Sequence, residues 1–133
     1  MLHYIQLSSR SRNELIDITP RVVEVVKNSG VSSGVVYLCC LHTTAGITVN
    51  EGADPDVRRD ISRFLEKLVP VDAPFDHSEG NSDAHVKSSL VGVSETLLIE
   101  NGRLVLGTWQ AVYFCEFDGP RTRKVAVKFI ADS

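Results

Sequence analysis

A long polar segment, FDHSEGNSDAHVKSSLVG at residues 75–92, contains two of the four histidines and little that a hydrophobic core would bury. His77 and His85 lie in this segment, and His42 ends an apolar run at the start of the sequence HTTAG. A strand end beside a turn suits a functional histidine, because the strand fixes the ring and the turn leaves it accessible. Three converging imidazoles would bind a transition metal with an open position. The histidines match no zinc-finger spacing, and surface histidines beside carboxylates are the alternative.

The same segment and its lead-in carry four carboxylates: Asp72, Asp76, Glu79 and Asp83. These groups can orient metal ligands, or they can bind a hard cation themselves. A solvated loop with capping side chains explains them equally well.

Phosphate-binding chemistry is indicated just beyond His85, where a short helix is predicted to begin. Lys87 and Ser88 at the start of such a helix would present a cation, a hydroxyl and backbone amides to a phosphate. Arg121 and Arg123 are further candidates for holding phosphates. Helix capping and solvation are the alternative reading of the lysine and serine.

Two further polar groups are candidates for the same pocket. Asn50 and Glu51 end the strand that follows HTTAG, so their side chains are expected to face the pocket of His42. Trp109 and Gln110 follow Gly107, and a glycine within a strand pattern indicates a bulge or a close backbone approach. The tryptophan would stack on a planar ring and the glutamine would hydrogen-bond to it, although Trp109 is equally suited to anchoring a core or an interface.

Composition limits the classes of function. The chain has 133 residues, 43% of them hydrophobic, which is typical of one folded domain. Its net charge of −3 gives no basic footprint for nucleic acid, and no apolar run is long enough to cross a membrane. The odd number of cysteines, three, argues against a disulfide framework and predicts reduced thiols in a cytoplasmic protein.

The elements that must position these residues follow from hydrophobic patterning. One helix is predicted to begin with Thr19 as its N-cap and to stop at Gly30, and a second to run from Pro55 to Pro70. Asn101-Gly102 and Asp118-Gly119 mark turns between strands. The predicted strands cover residues 3–7, 14–18, 35–42, 47–49, 94–99, 103–106, 111–117 and 122–130. The fold class is therefore α+β, a mostly antiparallel β-sandwich or flattened barrel with two helices, in a single domain over residues 1–133.

Three blocks of the sequence resemble the YjbQ-like family, long called uncharacterised family 0047, whose members are also named secondary thiamine-phosphate synthases. The blocks are HTTAGITVNEGADPDV (42–57), HSEGNSDAHVKSSLVG (77–92) and GTWQAVYFCEFDGPR (107–121). The resemblance implies a single α+β domain that assembles as a homotrimer. It also implies a pocket made of the following positions: His42, Asn50, Glu51, His77, Glu79, His85, Lys87, Gln110 and Glu116.

The resemblance implies an enzyme that joins a pyrimidine pyrophosphate to a thiazole phosphate and releases pyrophosphate. Departure of pyrophosphate normally uses Mg²⁺ and oxygen ligands, whereas clustered imidazoles favour zinc or a similar divalent metal. We therefore expect zinc or a similar ion, with Mg²⁺ as the alternative when the substrate is phosphorylated, and thiamine-phosphate formation as a secondary activity. The alternative function is a non-catalytic trimeric module that binds a metal or a small anionic ligand.

The candidate roles divide into three sets. The expected metal ligands are His42, His77 and His85. The expected catalytic carboxylates are Glu51, Glu79 and Glu116. The expected substrate-binding residues are Asn50, Lys87, Ser88, Trp109, Gln110 and Arg121.

Overall fold

Eight strands and three helices follow one another in the computed structural model, which describes residues 1–133. The helices are α1 (Thr19–Ser29), α2 (Pro55–Leu68) and α3 (Ser82–Val91). The strands are β1 (His3–Ser8), β2 (Glu14–Asp17), β3 (Gly34–Cys40), β4 (Ala45–Glu51), β5 (Ser94–Glu100), β6 (Arg103–Val105), β7 (Gln110–Glu116) and β8 (Thr122–Ala131). Every strand pairing is antiparallel. The predicted α+β class is confirmed.

Two sheets divide these strands between them. A five-stranded sheet has the order β1-β8-β3-β5-β6, and a three-stranded sheet has the order β2-β7-β4. Their facing sides share one hydrophobic core, to which Val36 and Leu38 contribute from the larger sheet and Ile47 and Phe114 from the smaller one. Val36 and Leu38 alternate with exposed or half-buried neighbours along β3, as a strand with one buried face requires. The sheets therefore form the expected sandwich.

The second face of the three-stranded sheet is covered by helices. Tyr113, Cys115 and Phe117 point to this side, where Ala84 of α3 and Leu65 of α2 pack against them. Helix α2 is strongly amphipathic, yet none of its residues is fully buried. It lies on the domain as a partly covered layer, while α3 is anchored by buried side chains.

A local sequence signal accounts for the start of α2 but not for the start of α1. Asp54 caps α2 by accepting a hydrogen bond from the Asp56 N–H at 2.9 Å, and Pro55 is the first helical residue, as predicted. Thr19 does not cap α1, because Ile18 occupies the cap position. The Thr19 hydroxyl accepts a hydrogen bond from the Val112 N–H at 2.8 Å instead. This tertiary bond ties the start of α1 to β7.

The third helix begins earlier than the sequence predicted. Helix α3 starts at Ser82, three residues before the predicted start at His85, and with it the domain has three helices where the expected fold class counted two. Asp83 lies in its first turn, where the helix dipole stabilises a negatively charged carboxylate. The earlier start places Lys87 in the middle of the helix and not at its N-terminal end.

Two expectations from composition concern the state of the cysteines and the presence of a membrane-spanning helix. Cys39, Cys40 and Cys115 are free thiols. Burial raises the pKa of the Cys115 thiol to about 12, so this cysteine is held in its unreactive protonated form. None of the helices has the length and apolar character that crossing a membrane demands.

Gly46 sets how closely α3 and the following link approach β4. The Ile47 N–H donates to the Gly92 carbonyl at 3.1 Å, and a Cβ added at Gly46 would lie 2.5 Å from the same oxygen. We expect Gly46→Ala to lower the free energy of unfolding by about 1–3 kcal/mol in urea denaturation, because the backbone must shift. The matched control is Gly107→Ala, whose Cβ would meet first only the Gln110 side chain, at 3.3 Å. Equal stability of the two variants would contradict this account.

Candidate functional site

A polar cavity of about 370 Å³ opens where three parts of the chain meet. These parts are the turn after β3, the segment leading into α3, and the turn between β7 and β8. The side chains that line the cavity include His42, Thr44, Glu79, His85, Arg121 and Arg123. The structure therefore brings two of the three predicted metal ligands into one cavity, together with one of the three predicted catalytic carboxylates.

His77 stands beside this cavity against His85. The two imidazole rings meet edge to face, with centroids 5.6 Å apart and an interplanar angle of 85°. The Nε2 atom of His77 lies 3.7 Å from Oε2 of Glu79. The polar loop thus gathers two imidazoles and a carboxylate.

His42 is held by a backbone hydrogen bond. Its Nε2 accepts the N–H of Lys124 at 2.8 Å. Burial lowers the pKa of His42, and the nearby Arg123 guanidinium lowers it further. His42 is therefore a neutral imidazole with one ring nitrogen already used.

The floor of the cavity is a buried ion pair between Glu116 and Arg123. Neither side chain is exposed by more than 4%. Arg123 Nε donates to Glu116 Oε1 at 2.8 Å, and Arg123 Nη2 donates to Glu116 Oε2 and, at 2.9 Å, to the Thr44 hydroxyl. The guanidinium and carboxylate thus meet through two parallel bonds, the strongest geometry for this pair.

Glu116 has further partners that complete its hydrogen bonding. Ser9 Oγ donates to Oε1 at 2.6 Å, and the N–H groups of Phe117 and Asp118 donate to Oε2 at 3.1 and 3.0 Å. Burial alone would raise the pKa of this carboxyl, but the hydrogen bonds from Arg123, Ser9 and Asp118 outweigh burial and hold the pKa below its ordinary value. A carboxylate so fully occupied positions its neighbours and is not accessible to a substrate.

Asp118 organises the rim of the cavity. It accepts hydrogen bonds from Asn81 Nδ2 at 2.9 Å and from Arg121 Nη2 at 3.0 Å. Arg121 also donates from Nε to the Asp118 backbone carbonyl at 2.8 Å, while about half of its side chain is exposed. The Arg121 guanidinium is therefore fixed at the cavity with its remaining N–H groups available, and its role in substrate binding stays a prediction.

Lys87 and Ser88 do not present their side chains to this cavity. Lys87 is only 1% exposed, and its Nζ lies 3.0 Å from Asp83 Oδ2. The Ser88 hydroxyl donates to the Ala45 carbonyl at 2.7 Å. Both residues lie within α3, because that helix begins three residues before His85, so the expectation of a phosphate cradle at its start is not met. They anchor α3 instead.

The remaining candidates lie at the opposite end of the three-stranded sheet. Asn50 and Glu51 end β4, while His42 precedes the start of that strand. Glu51 pairs with Gln110 across the sheet and shares a cavity of about 420 Å³ with Trp109, which is 65% exposed. Seven strand residues separate the two ends by about 20 Å, at about 3.3 Å per residue. Within one chain, these four residues form a cluster apart from the histidines.

Several residues of the cavity were not singled out in the sequence. Asp118 lies in a predicted turn and Asn81 in a polar loop, and neither pattern by itself indicates a site. Arg12 lies outside the cavity lining but contacts Asp83 at 2.9 Å and the cavity residue Asp118 at 3.9 Å, and the sequence SRSR gives no local pattern that indicates these contacts. These contacts join segments that are distant in the chain, so no local sequence pattern predicts them.

The fit to a metal is best judged from the donor set. Two imidazoles and a carboxylate, those of His77, His85 and Glu79, are ligand types that zinc accepts. No group of three or more His, Cys, Asp and Glu side chains in the chain stands at the spacing of a formed metal site. The donor chemistry fits a zinc-like ion, with His77, His85 and Glu79 as the residues that would hold it, and metal binding stays a prediction.

The fold and cavity define a class of protein: a small α+β sandwich with a polar pocket of histidine, arginine and carboxylate side chains. Residues 3–132 match the family described as UPF0047 protein YjbQ-like, so the chain belongs to this family. A UPF0047 protein of Methanocaldococcus jannaschii is 52% identical over 132 residues, covering 99% of this chain and 96% of its own. The Bacillus subtilis protein YugU is 50% identical, covering 98% of this chain and 99% of its own.

Solved structures agree with this assignment. A YjbQ/UPF0047 family protein of Clostridium acetobutylicum superposes with a TM-score of 0.94 at 54% identity, covering 96% of this chain and 99% of its own. A YbjQ-like protein of unknown function from Sulfolobus solfataricus superposes with a TM-score of 0.94 at 29% identity, covering 99% and 97%. The resemblance seen in the three sequence blocks is confirmed.

The buried ion pair predicts a pH-dependent stability. We expect Glu116→Gln to lower the free energy of unfolding at pH 7 by about 3 kcal/mol, because it leaves the Arg123 charge buried and unpaired. The folded-state pKa of Glu116 lies below its ordinary value of 4.5, so its stabilisation is complete above that pH and is lost as the pH falls through the folded pKa. In urea denaturation, the difference in free energy of unfolding between the wild-type chain and Glu116→Gln should therefore be smaller at pH 3.5 than at pH 7.

The control for this measurement is Glu24→Gln, which changes an exposed glutamate on α1. This variant should differ little from the wild-type chain at either pH. A constant stability loss in Glu116→Gln across the acid range would show that the carboxylate charge is not what the fold depends on.

Proposed function

We propose that this protein is a small metal-dependent enzyme whose histidine pocket binds a phosphorylated, anionic small molecule. The observation that carries the proposal is the single cavity in which His42, His85, Glu79 and Arg121 meet. Cation, imidazole and carboxylate groups in one concave site are the combination that binds an anion and transfers a proton. The volume of about 370 Å³ suits a small molecule.

The roles of the pocket residues follow from their surroundings. Arg121 supplies the accessible positive charge for a phosphate, because Asp118 fixes its orientation while leaving part of the guanidinium exposed. Glu79 is the one predicted catalytic carboxylate that lines the cavity, so it is the candidate general acid or base. Glu116, held by Arg123, acts by positioning the cavity floor.

The proposed metal is zinc or a similar divalent ion held by His77 and His85, with Glu79 as a further donor. The Nε2 atom of His42 already accepts a hydrogen bond, so this nitrogen is not free for the metal. When bound, such an ion would polarise an oxygen of the substrate. Mg²⁺ is the alternative if the phosphorylated substrate itself supplies oxygen ligands.

We propose thiamine-phosphate synthesis as a secondary activity of this site, with a different main reaction. The activity is proposed from the family resemblance. It is proposed as secondary because the cavity has one accessible arginine, whereas a pyrophosphate leaving group would need more positive charge. The test is incubation of the metal-loaded protein with the pyrimidine pyrophosphate and the thiazole phosphate, with product followed by chromatography. We expect slow formation of thiamine phosphate, at a rate that is lower in the Arg121→Gln variant.

A binding module without turnover is the second candidate. It is favoured by the placement of the carboxylates, because Glu116 is fully buried and Glu51 lies at the other end of the sheet. A protein that retains zinc and binds inorganic phosphate, yet turns over none of a panel of phosphorylated compounds, would support this candidate over the enzyme.

The homotrimer is also proposed, with the outer face of the five-stranded sheet as its interface. Leu98 pairs with Val35 and Val105 in register, and Val35 pairs with Ile130. Leu98, Val105 and Ile130 are each about half exposed, so they form an apolar row across four strands, which we call the outer row. An apolar sheet face of this kind is suited to burial between identical subunits. The free cysteines support the proposed cytoplasmic location.

Replacing His85 tests the metal. We expect His85→Ala to lose most of its zinc after dialysis, because a ligand sets both geometry and charge. Its melting temperature without metal should change little, since His85 lies at the cavity with a partly exposed side chain. Elemental analysis of the dialysed protein gives the zinc content, and thermal melting of the metal-free protein gives the melting temperature.

The matched control is His3→Ala, which removes an exposed histidine on β1 outside the cavity. Its zinc content should equal that of the wild-type chain. Unchanged zinc in His85→Ala, together with a large fall in melting temperature, would make His85 a structural histidine.

The outer row gives a prediction for assembly. We expect light scattering to return a trimer mass for the wild-type chain and a monomer mass for Leu98→Lys, because the charge would be buried at the interface. The control is Val23→Lys, at an exposed apolar position of α1. A monomeric wild-type chain would refute the trimer, and a trimeric Leu98→Lys would refute the outer row as its interface.

A further inference from the structure

The hydrogen bond on His42 completes a strand pairing that the backbone leaves unfinished. Strands β3 and β8 pair as far as Cys40 and Val125. Beyond this pair the Leu41 N–H still donates to the Lys124 carbonyl at 3.4 Å, but the Lys124 N–H donates to the His42 ring and not to a carbonyl. The imidazole thus takes the place of a backbone acceptor at the end of the ladder.

This bond determines which ring nitrogen carries the proton. A nitrogen that accepts an N–H at 2.8 Å must present its lone pair, so Nε2 of His42 is unprotonated. The proton of the neutral ring is then on Nδ1. Nδ1 has no hydrogen-bond partner in the chain and is not among the buried unpaired atoms, so it is within reach of a ligand.

The same proton placement conflicts with metal binding by His42. A neutral imidazole that binds a metal through Nδ1 carries its proton on Nε2. That proton would face the Lys124 N–H across 2.8 Å, and two donors would oppose each other. Binding through Nε2 would break the bond and leave the Lys124 N–H without an acceptor at the sheet end.

We propose that His42 is not a metal ligand but a neutral hydrogen-bond donor, which uses Nδ1–H to bind a phosphoryl oxygen of the ligand beside Arg121. The inference rests on the proposed function, because it assigns the anion to the same cavity. An N–H donor and a guanidinium on one cavity wall match the several acceptor oxygens of a phosphate. The site then has an anion half, His42 and Arg121, and a metal half, His77 and His85.

Two substitutions separate the ring nitrogens. The amide of glutamine reaches the position of Nε2, so His42→Gln keeps an acceptor for the Lys124 N–H and loses the Nδ1–H donor. The amide of asparagine reaches the position of Nδ1, so His42→Asn keeps the donor and loses the acceptor. The first variant is expected to weaken ligand binding, and the second is expected to weaken the fold.

The probes are inorganic phosphate, titrated calorimetrically into the zinc-loaded protein, and zinc content after dialysis. We expect His42→Gln to bind phosphate about 10-fold more weakly than the wild-type chain, as for loss of one hydrogen bond to a charged acceptor, with unchanged zinc content. His42→Asn should keep phosphate affinity within about 2–3-fold but melt at a lower temperature. Loss of zinc in His42→Gln, or unchanged phosphate affinity, would overturn the inference.

A measurement on the wild-type chain does not depend on the folding of any variant. The ¹⁵N spectrum of His42 at pH 7 should show a protonated Nδ1 and an unprotonated Nε2, and the opposite pattern would overturn the inference. A wild-type chain that binds neither zinc nor phosphate would refute the proposed function and with it the anion contact. A wild-type chain that binds both, with His42→Gln losing zinc, would leave the proposed function standing and refute only the inference.

Discussion

The buried pair of Glu116 and Arg123 is the interaction on which the pocket depends. Glu116 ends β7 in one sheet and Arg123 is the second residue of β8 in the other, so the pair joins the two sheets where they come together. Ser9 adds the chain just after β1, and Thr44 adds the turn before β4. Four separate segments are held by one carboxylate and one guanidinium, which would each be costly to bury alone.

The pair also sets the electrostatics above it. Burial lowers the pKa of His42 and the Arg123 guanidinium lowers it further, so the imidazole stays neutral beside the ion pair. Because Glu116 neutralises most of the guanidinium charge, the accessible cation of the cavity is Arg121 and not Arg123. The positive charge that the cavity offers is therefore concentrated at Arg121.

Helix α3 connects the fold to the loop that carries the histidines. Its buried Asp83 and Lys87 pair with each other within the helix, and Asp83 also contacts Arg12. Ser88 bonds the helix to the backbone of β4. With this anchor in place, His85 at the cavity is held by contacts made elsewhere on the helix, and the polar loop needs no hydrophobic core of its own.

Much of the fold and part of the site followed from the sequence alone. The alternation along β3, the Asp54-Pro55 start of α2 and the Asn101-Gly102 hairpin are local signals, and local signals survive folding because the groups that make them are neighbours in the chain. His85 and Arg121 were recognised from residue type and from resemblance to family blocks, and the structure places both in one cavity.

Only the tertiary structure decided which polar residues share a site. Because α3 starts three residues before His85, Lys87 lies in the middle of the helix, where it forms a buried ion pair with Asp83 and is not a surface cation. Glu51 and His42 are near in sequence but lie beyond opposite ends of β4, since an extended strand carries the chain about 3.3 Å per residue away. Residue type determines what chemistry is available, whereas long-range packing determines which groups meet and which are buried.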